Sequence, residues 1–211
     1  PEPALKPNYL EWFDETQAIH IIEFPTYGAH ETLVADLIEM FRTDPNVKRW
    51  LTNHGASSNR VGRKFKQDIH FGPNPHMPGA VRPRANMEWD DFNTIKIEIG
   101  VSHPWGDRAG QLDHKALTIW YPMPGVEYVL CVKTDHQYTT AEYKLYDFQV
   151  RGGPRPAVQP LATLIAPGVM VSFDAHRILG IPAASPLPPG FPDPFVVDLY
   201  AALAQARQDR L

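Results

Sequence analysis

One stretch, NTIKIEIGVSHPWGDRAGQLDHKALTIWYPMPGVEYVLCVKTD from Asn93 to Asp135, constrains this chain more than any other, because it reads as strand, helix, strand. From Thr94 to Val101 the residues alternate. Ile95, Ile97, Ile99 and Val101 share one face, and Lys96, Glu98 and Gly100 share the other, which is the period of a half-buried strand. Gly106 and Asp107 open a helix running to Trp120. Its apolar residues Ala109, Leu112, Ala116, Leu117 and Trp120 recur at three- and four-residue steps, and Asp107 is placed to cap the free N–H groups. Asp113 and Lys115 read as its solvated face. Pro122, Pro124 and Gly125 stop the helix, and Val126 to Val132, VEYVLCV, is apolar enough for a strand covered on both faces. Strand-helix-strand connections of this kind are nearly always right-handed and parallel. The two strands are therefore expected side by side at the centre of a sheet, with Lys96 and Glu98 pointing the same way.

The rest of the chain reads as cover for that unit. With 211 residues it is long enough for one sizeable core, so we expect a single domain over 1–211, with its core at about 20–150 and a Pro-rich extension with a final helix over 151–211. Residues 1–19 read as an arm carrying a short helix over Tyr9 to Phe13, followed by a strand from His20 to Phe24. Ala29 to Phe41 has the broad apolar stripe of a helix packed on a sheet. Asp44 and Pro45 start a second helix, cap and first turn, that extends to Gly55. Ala85 to Trp89 reads as a short strand turning through Asp90, Asp91 and Asn93 into the central strand. Further strands are expected at Ala141 to Val150, Leu161 to Ile165 and Val169 to Phe173. Pro182 to Pro194 reads as an ordered strap, and the last helix as starting at Asp193-Pro194.

Composition narrows the function. No apolar run approaches the roughly 18 residues a membrane helix needs, so no membrane partner is expected. Cys131 is the single cysteine and lies in the buried strand; this excludes a disulfide framework and a Cys-based zinc site, and points to an intracellular home, cytoplasmic or nuclear. Pro1 stands first without a Met or a signal-like segment, and is read as a trimmed or processed end. The net charge of −4 gives no overall pull toward nucleic acid, so such binding needs a local basic patch. Arg60, Arg63, Lys64 and Lys66 form the one dense basic cluster, either a solvated edge strand or a phosphate-binding patch. The histidines fall in no ligand spacing. Phosphate-binding glycine loops, dinucleotide fingerprints and Gly-x-Ser-x-Gly are all absent from the sequence.

Helix, strands, an acidic hairpin, a helix and a parallel strand is the order α-β-β-β-α-β, and over residues 29–135 the chain resembles the PD-(D/E)xK, or restriction-endonuclease-like, superfamily. The strand bearing Glu98, the charged helix after it and the VEYVLCVK strand carry the resemblance. It implies an α/β fold: a mixed central sheet with flanking helices, a restriction-endonuclease-like core, then the Pro-rich strap and terminal helix. It further implies hydrolysis of nucleic-acid phosphodiester bonds with Mg²⁺, held by Glu98 and by Asp90 or Asp91, with Asp91 also in the catalytic set, and with nucleic acid meeting the basic cluster. Hard oxygen ligands suit Mg²⁺, and a metal-bound water is the nucleophile such hydrolysis needs.

Two positions depart from the superfamily pattern. Gly100 stands where its Lys belongs, and Lys96, on the same face as Glu98, is the residue that would supply the amine. Pro83-Arg84 stands where Pro-Asp belongs; with a hairpin turn at Asp90 to Phe92, Arg84 lies opposite Glu98 and pairs with it in the cation's place. Asp90 and Asp91 are then turn formers. Two functions therefore stay open: a metal-dependent nuclease, or a catalytically silent protein of that fold used as a binding or protein-interaction module.

Overall fold

The computed structural model describes residues 28–55, 68–101, 103–148 and 160–209 in full, and residues 10–13 and 18–21 as backbone. The basic cluster Arg60, Arg63, Lys64 and Lys66 lies outside the described residues. In chain order the elements are β1 (Leu10–Phe13), β2 (Ala18–Ile21), α1 (Ala29–Phe41), α2 (Pro45–Trp50), β3 (Leu51–Asn53), β4 (Ile69–Pro73), β5 (Ile95–Val101), α3 (Leu112–His114), β6 (Tyr128–Thr134), β7 (Ala141–Asp147), β8 (Thr163–Leu164), β9 (Met170–Phe173), α4 (Ala175–Ile178), β10 (Phe195–Asp198) and α5 (Leu199–Gln208). A six-stranded sheet orders β3-β4-β5-β6-β7-β8. Its β5–β6 pair is parallel, with Ile95 against Tyr128, and the other described pairings are antiparallel.

The alternation of β5 sorts the two faces. Ile95, Ile97 and Ile99 meet Tyr128, Leu130 and Val132 of β6 in a core closed by Leu33, Leu37 and Phe41 of α1 and by Leu199, Ala202 and Leu203 of α5. On the opposite face, Val129 and Cys131 of β6 pack with Leu112, Ala116, Leu117 and Trp120. Lys96 and Glu98 are buried there, 1% and 0% exposed. With the short α2 added after α1, the order α1, β3, β4, β5, α3, β6 follows the α-β-β-β-α-β sequence expected above: a mixed central sheet with flanking helices.

Several local expectations are corrected. The helix expected from Asp107 begins at Leu112, because Gly106 and Gly110 take positive φ of 141° and 88°, a backbone region that no right-handed helix enters. Ala85 to Trp89 forms no strand; the partner of β5 is β4, reached by a loop that ends in a 3-10 turn, Trp89–Asp91. That loop closes on β4 at Gly72, where a Cβ would lie 1.9 Å from the Phe92 carbonyl oxygen. The segment Leu10–Phe13 is a strand rather than a short helix, and pairs with β2. Asp44 and Pro45 do start α2, the Asp44 carboxylate accepting from the Asn46 N–H at 2.7 Å. That helix stops at Trp50, and the chain continues as β3. The last helix starts at Leu199, capped by Asp198, after Phe195 to Asp198 have paired with β9 as a strand.

Candidate active site

Register sets the acids. Ile69 faces Ile97 and His70 faces Lys96 across β4 and β5, so one step further along this antiparallel pair Asp68 stands opposite Glu98. Asp68 was not among the acids expected from the sequence. Its Oδ2 accepts from the Ile99 N–H at 2.7 Å, and its Oδ1 meets His30 Nε2, at the start of α1, at 3.1 Å. Burial lowers the His30 imidazolium, but the bond to Asp68 and the charges of Asp68 and Glu31 outweigh this, so its pKa is raised.

Glu98 is held from the other side. Trp120 Nε1 donates to Oε1 at 2.9 Å, and Lys115 Nζ donates to Oε2 at 2.6 Å. Five residues are about 1.4 turns of an α-helix, which would set Lys115 and Trp120 roughly 140° apart. They reach one carboxylate because Lys115–Trp120 is a π-helical turn, in which the Tyr121 N–H reaches back five residues to the Ala116 carbonyl at 2.9 Å. Burial first, then the Asp68 charge, pushes the Glu98 carboxyl upward, while Lys115 and Trp120 pull it down. A donor on each oxygen fits the ionised carboxylate, since a protonated acid would itself have to donate. Burial lowers Lys115, but the Glu98 carboxylate overrides it and holds the ammonium above its usual range.

The solvated helix face expected for Asp113 and Lys115 is corrected by these contacts. Asp113 is 3% exposed. It accepts from Lys144 Nζ at 2.8 Å, from the Gly106 N–H at 2.6 Å and from the Tyr146 hydroxyl. The carboxylate ties the Gly106 loop and the start of the π-turn to β7. Lys144 also lies over the Trp105 ring, 4.7 Å from its centroid.

The other expected residues fall as follows. Lys96 shares the face of Glu98 as alternation requires, but its Nζ has no hydrogen-bond partner among the described residues and lies 5.2 Å from the Trp120 ring centroid. Burial pulls this ammonium down to about 7, against the opposing charges of Glu98 and Asp91. Burial, then Lys96 itself, keeps His70 far below the ordinary histidine range. Asp91, half-buried on the 3-10 turn, acts on Lys96 through its charge. Asp90 is exposed; its carbonyl accepts from Asn93 Nδ2 at 3.1 Å and meets His54 Nδ1 at 2.9 Å. Arg84 is exposed and is not the partner of Glu98; Lys115 is, because β4 rather than 85–89 pairs with β5. Gly100 has no room for a lysine, since even a Cβ would lie 2.9 Å from Leu112 Cδ1. Close packing at Gly100 lets α3 sit on the sheet, and Lys115, the residue after α3, brings an ammonium against Glu98. Among the described residues no group of three or more His, Cys, Asp or Glu could hold a metal ion, so Asp68 and Glu98 stand as a pair.

No family model matches the chain, and no curated protein does. Among solved structures it is similar to a DUF820 protein of Anabaena variabilis, described as a candidate nuclease, at 11% identity and a TM-score of 0.49, over 93% of this chain and 90% of that one. No helix among the described residues is long and apolar enough to cross a membrane.

Proposed function

We propose that the protein hydrolyses phosphodiester bonds of nucleic acid with a divalent cation, Mg²⁺ by preference, held by Asp68 and Glu98. The observation that carries this reading is the placement of Asp68, just before β4, beside Glu98 of β5, with an ammonium against Glu98. The residues fit the ion. Mg²⁺ keeps several waters and takes one or two carboxylates; burial first, and the Asp68 charge after it, push Glu98 upward, and a cation between the acids would offset both. Bound there, the ion would lower the pKa of a water and neutralise charge developing on the phosphate.

The chain's own residues do the rest. His30 and the Ile99 N–H fix Asp68, and the Trp120 indole fixes one oxygen of Glu98. Lys115, a quarter exposed, offers an ammonium to a phosphate oxygen at the mouth of the site. Arg60, Arg63, Lys64 and Lys66 immediately precede Asp68 in sequence, and are the proposed contacts to the phosphate backbone.

A second reading, the silent binding module, draws on one observation: both Glu98 oxygens already have donors, and the side chain is fully buried. Incubation of single- and double-stranded DNA and RNA with the protein and Mg²⁺ or Mn²⁺ separates the two. The nuclease reading expects cleavage that disappears in Asp68→Asn and Glu98→Gln. Absence of cleavage under every divalent cation, or cleavage surviving both substitutions, sinks it.

A further inference from the structure

The two donors on Glu98 are not equivalent. Trp120 is 1% exposed and locked into the apolar cluster with Val129, Cys131 and Tyr146, so its N–H cannot leave without unpacking the helix. Lys115 is 25% exposed at the end of a flexible stem. Its ammonium can swing off Oε2 into solvent while the π-turn stays in place. Charge adds a reason for it to do so. Asp68 and Glu98 lie against the Lys115 ammonium, which touches Glu98 Oε2 at 2.6 Å. A divalent ion between the acids would balance both carboxylates by itself, and Lys115, a quarter exposed, is the neighbouring cation with a path to solvent, Lys96 being 1% exposed.

Resting on the metal reading above, we propose that Lys115 is a resident stand-in for the divalent cation. Its ammonium occupies Glu98 Oε2 while no metal is bound, keeping a fully buried carboxylate compensated. It yields that oxygen when the ion arrives, and only then turns outward to meet a phosphate. The site would thus load in a fixed order, metal before nucleic acid, with the π-turn holding Trp120 on Oε1 as the fixed hinge of the exchange.

Lysine acetylation footprinting of the wild-type protein, read by mass spectrometry with and without saturating Mn²⁺, tests this, with Mn²⁺ binding followed by electron paramagnetic resonance in the same samples. We expect Lys115 to be acetylated several-fold faster with Mn²⁺, while Lys133, which sits against Glu142 at 3.7 Å, keeps its rate. Bound Mn²⁺ with unchanged or slower labelling of Lys115 overturns the stand-in and leaves the metal reading intact. No Mn²⁺ binding overturns both. Lys115→Met supplies a second measurement: losing the competing charge should tighten Mn²⁺ binding several-fold, and equal or weaker binding again overturns the proposal. Should that variant fail to fold, the wild-type labelling decides alone.

Discussion

Replacing Lys96 with Met should make the protein more stable at neutral pH, although it removes a charged group beside the candidate site. An ammonium with an ordinary pKa of 10.5 is held at about 7 in the folded chain, chiefly by burial. A drop from 10.5 to about 7 amounts to a penalty near 5 kcal/mol on the protonated form. The Trp120 ring returns about 2 kcal/mol of it, the gain of a desolvated cation over an indole. The net expectation is roughly 3 kcal/mol of added stability at about pH 6, with Met filling the space of the lysine stem. The pH dependence fixes the sign. Folding lowers this pKa, so between about 7 and 10.5 the unfolded chain holds more protons and wild-type stability rises with pH. The advantage of the variant should therefore be full below pH 7 and shrink steadily toward pH 10. Urea unfolding of both proteins at several pH values across that window measures it, the difference between them cancelling the other titrating groups. A variant less stable than wild type at pH 6, or a difference that does not change with pH, would refute the reasoning.

Asp113→Asn should cost about 3–5 kcal/mol, because it leaves Lys144 as a buried charge without its carboxylate; a loss under about 1 kcal/mol by urea unfolding would show that the contact to β7 is not structural. Gly72→Ala should unfold the chain or weaken it by more than about 3 kcal/mol, as its Cβ collides with the Phe92 carbonyl oxygen, and a near-native thermal midpoint would contradict the close approach of that loop. Cys131, buried at the centre of the sheet and raised in pKa by that burial, should react with thiol reagents only at the rate of unfolding, so rapid labelling of the native protein would displace β6 from the interior.

What could be read from the sequence and what could not divide along the range of the interaction. The alternation of Ile95, Ile97 and Ile99 and the apolar run around Val129 are local signals, and they placed β5 and β6 together, parallel and central. The same alternation put Lys96 and Glu98 on one covered face. The place of Asp68 is not local: it depends on which segment pairs with β5, and the sequence puts the short run 85–89 there, whereas Ile69–Pro73 is the strand that pairs with it. Once 85–89 was paired there, Arg84 fell opposite Glu98 and Asp68 fell out of view. Lys115 was hidden by helix period, since on a regular α-helix it and Trp120 cannot share a partner, and a π-turn leaves no mark in the pattern of apolar residues.

The central claim is that Asp68 and Glu98, rather than Asp90 or Asp91, hold one divalent cation, and calorimetric titration with Mn²⁺ tests it most directly. The wild-type protein and Asp91→Asn should each bind a single ion. Asp68→Asn and Glu98→Gln should each lose at least about tenfold in affinity, or about 1.4 kcal/mol, while still showing a cooperative thermal transition. A wild-type protein that takes up no ion, or an Asp68→Asn variant that binds as tightly as wild type while Asp91→Asn does not, would contradict the account.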